Sequence, residues 1–160
     1  MKEITDMTLS HLDAVYEIEK NSFSIPWSKN MIRKEITDNK HAIYKVALYE
    51  NKIVGYAGMW HVVNEGQITN IAVDQAFRRI GIGALLVEAL VAEAQEKEMI
   101  GLTLEVRVSN KAAQKLYFKY GFKAEGLRKR YYADTGEDAV IMWRYFKIDG
   151  TQVESTQIFF

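Results

Sequence analysis

Glu105 is the first residue in the sequence whose type and position could carry proton-transfer chemistry. It interrupts the apolar run Leu102–Val108. Side chains alternate along a strand with a period of two, so Glu105 shares a face with Thr103 and Arg107. A carboxylate on an inner strand is uncommon unless it is paired or functional. It could pair with Arg107 or with a neighbouring strand, or it could be a general base that takes a proton from an amine before that amine attacks.

Tyr117 is the second such residue. It lies in the helical pattern Lys111–Tyr120, which Gly121 ends as a C-cap. Its hydroxyl needs a hydrogen-bond partner if it is buried. Spacing alone favours a core tyrosine, and a proton donor to a departing group is the alternative. Asn110 could cap this helix, bind a ligand, or do both. Further core positions are expected at Leu116, Tyr120 and Phe122.

Two glycines lie in the loop Arg78–Gly83, which joins a strand pattern, Gln67–Val73, to a helical pattern that runs from Ala84 to about Glu98. Glycine lets the backbone come close to a ligand. The unpaired amides at the start of a helix lie at the positive end of its dipole. The loop therefore favours a phosphate or pyrophosphate group, and its two arginines add positive charge.

Three known glycine patterns can be compared with this loop. A Walker A loop is excluded because Gly83 is followed by Ala84 and not by Lys-Ser/Thr. A dinucleotide-binding loop needs a third glycine where Leu86 stands, although Glu105 lies about where a ribose-binding acid would. The pattern Gln/Arg-x-x-Gly-x-Gly/Ala matches Arg78–Gly83 at every fixed position. An ordinary glycine-containing loop stays open on this hexapeptide alone.

Composition narrows the class of protein. The 160 residues suggest one domain, and 48% apolar residues are enough for a packed core. The 21 basic and 21 acidic residues balance, which argues against general nucleic-acid binding. The chain has no cysteine, and its histidines lack metal-ligand spacing. We expect no metal, no membrane helix and no signal peptide, and hence a cytoplasmic location.

The remaining patterns predict the elements that position these residues. Pro26 interrupts the chain at Phe23–Ser28, where aromatic residues either pack on the core or form the wall of a substrate groove. Ser28 is expected to cap a helix. Gly55 and Gly58 indicate a bulge or a close backbone approach. The other expected elements are a strand at Lys2–Asp6, a helix from Thr8 or Ser10 to Ser22, strands at Ile43–Tyr49 and Ile53–Val63 joined by a tight turn at Glu50–Lys52, a turn at Asn64–Gly66, and strands at Phe122–Tyr132 and Asp138–Phe146.

Several of these segments together resemble the RimI branch of the GNAT N-acetyltransferases. That branch acetylates the N-terminal alanine of a small-subunit ribosomal protein. The resemblance runs over roughly residues 2–145, and the combination is more specific than any single motif. The matching segments are Phe23–Trp27, Ile68–Val73, Arg78–Gly83, Leu104–Arg107, Asn110, Leu116–Tyr117, Tyr120–Phe122, Arg130–Tyr132 and Glu137–Met142.

The resemblance implies a fold and a set of roles. The fold would be a single α/β GNAT domain over residues 1–146, a mixed and mostly antiparallel sheet with helices on both faces, followed by a tail over 147–160 whose last aromatics could dock. Acetyl-CoA would be the acetyl donor, without a metal. Glu105 would accept a proton and Tyr117 would donate one. The cofactor-binding residues would be Ile71, Ala72, Val73, Arg78, Arg79, Ile80, Gly81, Ile82, Gly83, Ala84 and Asn110.

The implied reaction is direct transfer of the acetyl group to the N-terminal amine of a ribosomal protein, with no covalent enzyme intermediate. The sequence keeps three alternatives open. They are acetylation of lysines or of a small-molecule amine, a non-catalytic acyl-CoA-binding module, and a dinucleotide-dependent enzyme. Direct contact with nucleic acid or membrane is not expected. The oligomeric state cannot be derived from the sequence.

Overall fold

The computed structural model of the protein describes residues 1–148 and 151–152. The strands are β1 (Lys2–Asp6), β2 (Ala42–Tyr49), β3 (Lys52–Val62), β4 (Glu65–Val73), β5 (Gly101–Arg107), β6 (Lys123–Arg128), β7 (Ala139–Tyr145), β8 (Lys147–Ile148) and β9 (Thr151–Gln152). The α-helices of these residues are α1 (Leu12–Ser22), α2 (Lys29–Thr37), α3 (Ile82–Glu96) and α4 (Lys111–Lys119). Two 3₁₀ turns, Leu9–His11 and Gln75–Phe77, complete the list.

Seven of the strands form one mixed sheet in the order β1-β2-β3-β4-β5-β7-β6, and β8 pairs with β9. β4 and β5 run parallel, joined by the crossover helix α3, as the sequence predicts. The pairs β1–β2, β2–β3, β5–β7 and β6–β7 are antiparallel. The predicted α/β class with a mixed, mostly antiparallel sheet is confirmed.

Contacts divide the chain into two compact units. The first contains Met1–His61 and Ile68–Leu90, and the second contains Val62–Gln67 and the chain from Val91 onward. β4 therefore starts in the second unit and continues into the first. α3 likewise starts in the first unit and ends in the second.

The core of the first unit lies against α1 and α2. Tyr44 lies across Gly58 of the neighbouring strand, where an added Cβ would come within 1.9 Å of the ring. The predicted close approach at Gly58 is therefore confirmed. The register of β2 with β3 shifts between Ala47 and Leu48, a bulge beside Gly55. The buried cluster consists of Leu12, Val15, Ile18, Ile32, Tyr44, Val46, Tyr56 and Ala72.

Two local signals in the first unit act as predicted. Ser28 caps α2, because its hydroxyl accepts the Met31 N–H at 3.1 Å. The β2–β3 hairpin turns through Glu50 and Asn51, whose φ angles of 49° and 68° are those of a tight two-residue hairpin turn.

In the second unit, β5 lies between β4 and β7. Its register with β4 comprises the pairs from Glu65↔Gly101 to Gln67↔Thr103. α4 ends at Gly121, whose φ of 91° is the left-handed conformation expected of a C-terminal glycine. The largest buried apolar residues here are Met99, Leu102, Leu104, Phe122, Met142, Trp143 and Phe146.

Several predicted boundaries are wrong. The last hairpin is shorter than predicted, since β6 ends at Arg128 and the next strand begins at Ala139. Arg130 has a φ of 52°, which a strand cannot accommodate. Leu116 and Tyr120, expected in the core, are partly exposed. The first helical segment starts as a 3₁₀ turn, which Thr8 precedes. α3 begins at Ile82 and not at the predicted Ala84. β4 begins at Glu65 and not at the predicted Gln67, after a turn at Val63.

The predicted tail over 147–160 lies mostly outside the described residues. Only the backbone pairing of β8 with β9 is described there. The prediction that Ile158–Phe160 dock on the body or on another chain falls outside the described residues. None of the helices in the described part of the chain is both long and apolar enough to cross a membrane.

Candidate functional site

The glycine loop of the first unit leads into the N-terminus of α3. Gly81 has a φ of 90°, and among the described residues a Cβ added there would have only the Lys2 ammonium within 4 Å, at 3.8 Å. Arg79 has a φ of 65°. These left-handed residues curl the backbone at the start of a 15-residue helix. The loop therefore offers an open approach to helix-start amides, which is what a phosphate group requires.

The cations around this loop have distinct roles. Arg79 is exposed. Arg78 donates from Nε to the carbonyl of Val73 at 2.9 Å, so it ties the loop to the end of β4. Lys2, on β1, donates to the carbonyl of Ile80. A carbonyl held on one side directs the next amide, that of Gly81, to the opposite side, because a trans peptide places the two groups opposite each other. Lys2 therefore helps to orient a predicted phosphate-binding amide.

The predicted acetyl and pantetheine contacts lie further along β4. Ala72 is buried, whereas Ile71 and Val73 are partly exposed. The register pairs with β5 end at Gln67, before all three of these residues. Gly55 lies beside this stretch, and a Cβ there would come within 3.0 Å of the Ala72 carbonyl. Ile71 and Val73 are thus partly exposed residues, beyond the part of β4 that pairs with β5, in a strand that Arg78 and Gly55 contact.

Glu105 lies on β5 in the second unit, with its side chain 27% exposed. Its carboxylate accepts from Nε of Arg128 at 3.1 Å. Arg128 lies on β6, which β7 separates from β5, so among the described residues Glu105 pairs neither with Arg107 nor with an adjacent strand, as the sequence had left open, but with the strand beyond. Arg128 is itself 54% exposed, so the ion pair lies at the surface and an incoming group can reach it.

Two tyrosines follow β6 and lie close to this carboxylate. Their rings meet edge to face, with centroids 5.1 Å apart. Burial raises the pKa of Tyr131, and the charge of Glu105 adds to the rise. Burial also raises the pKa of Tyr132 to about 12, with smaller contributions that include Arg107, which opposes it, and Glu105. Both phenols therefore keep their protons beside the candidate base at neutral pH.

Arg107 fixes the loop that carries these tyrosines. Its guanidinium lies 4.0 Å from the centre of the Tyr132 ring. It donates to Asp134 at 2.7 Å, and its Nη1 lies 3.5 Å from Glu137. Glu137 also accepts the Ser109 N–H at 2.6 Å, which lowers the pKa of its carboxyl. The β6–β7 loop is therefore held to the end of β5 by one cation.

Tyr117 lies on α4 in the same unit. Its ring packs at 5.8 Å from that of Phe122. Burial raises the pKa of its phenol, and Tyr132 adds to the rise. Among the described residues, the Tyr117 hydroxyl has no hydrogen-bond partner. A protonated, partly buried phenol without a protein partner is available to a ligand atom.

Asn110 caps α4. Its Oδ1 accepts the Ala113 N–H at 3.1 Å. The residue is exposed, so its amide nitrogen stays available to a ligand. The capping half of the sequence prediction is confirmed, and the ligand contact stays a prediction.

Within each unit, the structure brings several predicted site residues together. It also places residues at the site that the sequence analysis did not identify. Val73 meets Arg78 in the first unit, while Tyr132 lies close to both Glu105 and Tyr117 in the second. Lys2 and Arg128 are additions. No local signal marks them, since their contacts depend on strand pairing. Within residues 1–148 and 151–152, no cluster of three or more His, Asp or Glu side chains could hold a metal ion.

Comparison with known protein families identifies the class of reaction that the protein catalyses. Residues 12–122 match the model of the Acetyltransferase (GNAT) family. The chain belongs to the GNAT family of acetyltransferases. It is an acetyl-CoA-dependent N-acetyltransferase, and the helix-start loop described above suits the pyrophosphate of that cosubstrate.

Individual relatives span nearly the whole chain. The [ribosomal protein bS18]-alanine N-acetyltransferase of Escherichia coli (strain K12) is 36% identical over 146 residues, which is 89% of this chain and 96% of the relative. A Bacillus subtilis (strain 168) protein to which the same activity is ascribed is 44% identical over 140 residues, 88% of this chain and 93% of that protein.

A solved GNAT structure confirms the fold. The crystal structure of the ribosomal-protein-S18-alanine N-acetyltransferase from Escherichia coli superposes with a TM-score of 0.86 and 31% identity. The match covers 96% of this chain and 99% of that one. Chain-long agreement in sequence and fold confirms the predicted family branch.

Proposed function

We propose that this enzyme transfers the acetyl group of acetyl-CoA to the α-amine of the N-terminal alanine of ribosomal protein bS18. The observation that carries the proposal is the chain-long similarity to the E. coli enzyme of that activity, which extends through both units. We propose that the segment from Phe23 to Ser28, hereafter the 23–28 segment, contacts the acceptor, and that Tyr131 and Tyr132 also contact it.

Residues of the first unit would supply most of the contacts to the cosubstrate. Amides from Arg79 to Ala84 would bind its pyrophosphate, with the arginines adding charge. The backbone of Ile71, Ala72 and Val73 would hold the acetyl and pantetheine end, and their amides would stabilise charge that develops on the thioester oxygen. Asn110, whose amide nitrogen is not used in capping, would add a contact to CoA.

Glu105 would take the proton from the acceptor amine. An α-amine has a pKa of about 7.7–8.0, so much of it carries a proton at neutral pH and cannot attack. The carboxylate is partly exposed and already accepts one hydrogen bond, from Arg128, at an edge that an ammonium can also reach. Arg128 would hold the carboxylate in place and shift away as the ammonium arrives.

Tyr117 would protonate the departing thiolate. Its phenol keeps its proton throughout the working pH range because burial raises its pKa. The absence of a hydrogen-bond partner among the described residues leaves the O–H directed at no protein acceptor. Proton donation of this kind typically contributes about 10²–10⁴-fold to the rate.

Acetylation of lysines is the second candidate function, and amine basicity decides against it. A lysine amine with a pKa of about 10.4 is neutral in about one molecule per thousand at pH 7.4, against roughly a quarter of α-amines. Glu105 is partly exposed and paired with a half-exposed arginine. Such a surface carboxylate does not desolvate a lysine ammonium, which would be needed to lower its pKa.

The test is a matched pair of peptides with acetyl-CoA, read by mass shift and by the site of modification. The first peptide begins with alanine and follows the bS18 sequence. The second is the same peptide with a blocked N-terminus and one internal lysine. We expect acetylation of the first at its α-amine at a rate at least about 100-fold higher, from the difference in neutral amine. Equal rates with the lysine modified would replace this proposal with lysine acetylation.

A further inference from the structure

Glu19 on α1 is a buried carboxylate that the proposed chemistry does not use. It is 1% exposed, and it is the only charged residue in the described part of the chain that is fully buried. Acidic side chains are almost never buried without partners, because removal from water disfavours the charge. The burial of Glu19 therefore points to a role that depends on its hydrogen-bond partners.

Three neutral groups donate to the Glu19 carboxylate. Oε2 accepts the backbone N–H of Trp27 at 2.9 Å. Oε1 accepts from the hydroxyl of Tyr56 on β3 and from Nδ2 of Asn70 on β4, the latter at 3.2 Å. Burial and then Glu19 itself raise the pKa of Tyr56, so that phenol stays a donor. The two carboxylate oxygens thus face different parts of the first unit.

One oxygen faces the 23–28 segment. This segment has no regular structure, and it exposes Phe23 by 38% and Ile25 by 62%. Trp27 is partly buried against the core, and its amide is the group that Glu19 holds. The bond fixes the end of the segment, while its two apolar side chains stay at the surface.

The other oxygen faces the strand that carries the proposed acetyl contacts. Asn70 directly precedes Ile71 in β4 and is itself 7% exposed. Its Oδ1 is buried and, in the described residues, has no partner. The Asn70 side chain is therefore held through its Nδ2, which donates to Glu19 and also interacts with the Tyr56 hydroxyl, so a change at Glu19 reaches β4 directly.

We propose that Glu19 is a positioning residue for the acceptor, whose carboxylate sets the place of the 23–28 segment relative to β4. The inference rests on the proposed function, in which this segment contacts the acceptor peptide. Glu19 touches neither substrate. It acts through the Trp27 amide and the Asn70 side chain, so it governs acceptor binding more than the chemical step.

The test compares Glu19→Gln with Glu17→Gln. The first replaces one acceptor oxygen with a donor, so at least one of the three N–H or O–H groups loses its partner. The second removes a carboxylate from the same helix, where it is exposed and, among the described residues, forms an ion pair only with Lys20. A hydrogen bond to a charged group is worth enough that its loss should raise the KM for the alanine peptide about tenfold. The kcat should fall less, the Kd for CoA should stay within about twofold, and Glu17→Gln should match the wild type.

Hydrogen–deuterium exchange gives a readout that does not depend on activity. In Glu19→Gln, exchange of the Trp27 amide should quicken by about tenfold while exchange in α4 stays unchanged. If the wild type leaves the alanine peptide unmodified, the proposed acceptor is wrong, and exchange alone decides whether Glu19 holds the segment. If the wild type is active and Glu19→Gln has an unchanged KM, or an equal loss of CoA affinity, the positioning role is wrong.

A second pair of variants covers the case in which Glu19→Gln fails to fold. Trp27→Pro removes the amide hydrogen and the indole, whereas Trp27→Ala removes the indole alone. The proline variant should have a KM about fivefold above that of the alanine variant, because only it breaks the bond to Glu19. Equal KM values in the two variants would show that the hydrogen bond from the Trp27 amide to Glu19 does not affect acceptor binding.

Discussion

At the scale of single residues, the second unit holds a base candidate and an acid candidate in different electrostatic surroundings. Glu105 lies at a partly exposed edge, where its carboxylate accepts a hydrogen bond from the cationic Arg128. Tyr117 lies against Phe122, and burial keeps its phenol neutral. A charged acceptor and a neutral donor at the same pH are the two protonation states that amine acetylation requires.

The first prediction concerns Tyr117→Phe. The change deletes one hydroxyl that makes no hydrogen bond to the described part of the chain, so folding and CoA affinity should survive. Turnover should fall by about 10²–10⁴-fold. Tyr16→Phe, on α1, is the matched control and should keep full turnover. A Tyr117→Phe variant with wild-type kcat would show that Tyr117 is a core residue and not the proton donor.

The pH profile of the wild type gives a related expectation. The folded pKa of Tyr117 is raised above its ordinary value of 10.0, so the protonated, donating form persists through pH 10. Any stability that this raised pKa supplies is likewise complete below pH 10 and lost only above it. The kcat should therefore not fall between pH 8 and pH 10 through loss of this proton. A decline there that disappears in Tyr117→Phe would show that the phenol loses its proton in this range, and would contradict the raised pKa.

The second prediction concerns Glu105→Gln. The amide keeps the shape of the side chain but cannot take a proton, so acetylation of the alanine peptide should slow by about 10²-fold at pH 7. The deficit should shrink towards pH 9, where an α-amine with a pKa of about 8 is already neutral. Glu125→Gln, exposed on β6, is the control. A deficit of equal size at both pH values would give Glu105 a role in substrate placement and not in proton transfer.

At the scale of elements, the loop before α3 combines a backbone that only glycine adopts readily with an open approach. Gly81 has a left-handed φ, and Lys2 is the one described residue within 4 Å of a Cβ added there. Arg78 and Lys2 hold the loop from its two sides through the carbonyls of Val73 and Ile80. The loop is thus shaped by the protein before any phosphate arrives, which lowers the entropy cost of binding.

The third prediction is that Gly81→Asp abolishes measurable acetyl-CoA binding. The side chain occupies the approach and its charge repels pyrophosphate, so affinity in calorimetry should drop at least about 100-fold. Gly136→Asp is the matched control, since Gly136 has a comparable φ of 73° and no atom of the described residues lies within 4 Å of an added Cβ. It carries the same backbone strain and the same added charge, and should leave CoA affinity unchanged. Equal losses in both variants would assign the effect to strain.

The sequence predicted elements well where the signal is local. The cap at Ser28, the two-residue turn at Glu50–Asn51 and the C-terminal Gly121 each depend on a few neighbouring residues. Errors of extent occurred where a distant residue decides. The last hairpin was predicted too long because Arg107 holds Tyr132 in a loop, and nothing near Tyr132 in the chain reveals that contact.

The residue types of the candidate site could be predicted from the sequence, but the side chains that contact those residues could not. Glu105, Tyr117 and the glycine loop carry chemical signals of their own, and family resemblance supplied their roles. Arg128 meets Glu105 only because β7 lies between β5 and β6, an order that spacing cannot show. The Glu19 carboxylate was overlooked for the same reason, since its partners come from three separate segments.

At the scale of the whole molecule, cosubstrate binding should appear as added stability. A ligand that binds only the folded state stabilises it by about 2.7 kcal/mol at 100 times its Kd, which for a chain of this size raises Tm by about 5–10 °C. The fourth prediction is that acetyl-CoA produces such a shift in a thermal melt and that NAD at the same concentration produces none. A Tm shift of similar size with NAD would favour the interpretation of the loop as a dinucleotide-binding site.

Tyr44 and Gly58 also constrain how this sequence can vary over time. The ring occupies the volume of a missing methyl group, so alanine at position 58 collides with it. The same phenol donates to Glu35 on α2 at 2.8 Å, which limits what can replace it. Neither position can change first without loss, so the two should covary among homologues. In this chain, Gly58→Ala should be rescued by a smaller residue at position 44, a compensation that a double-mutant cycle would measure.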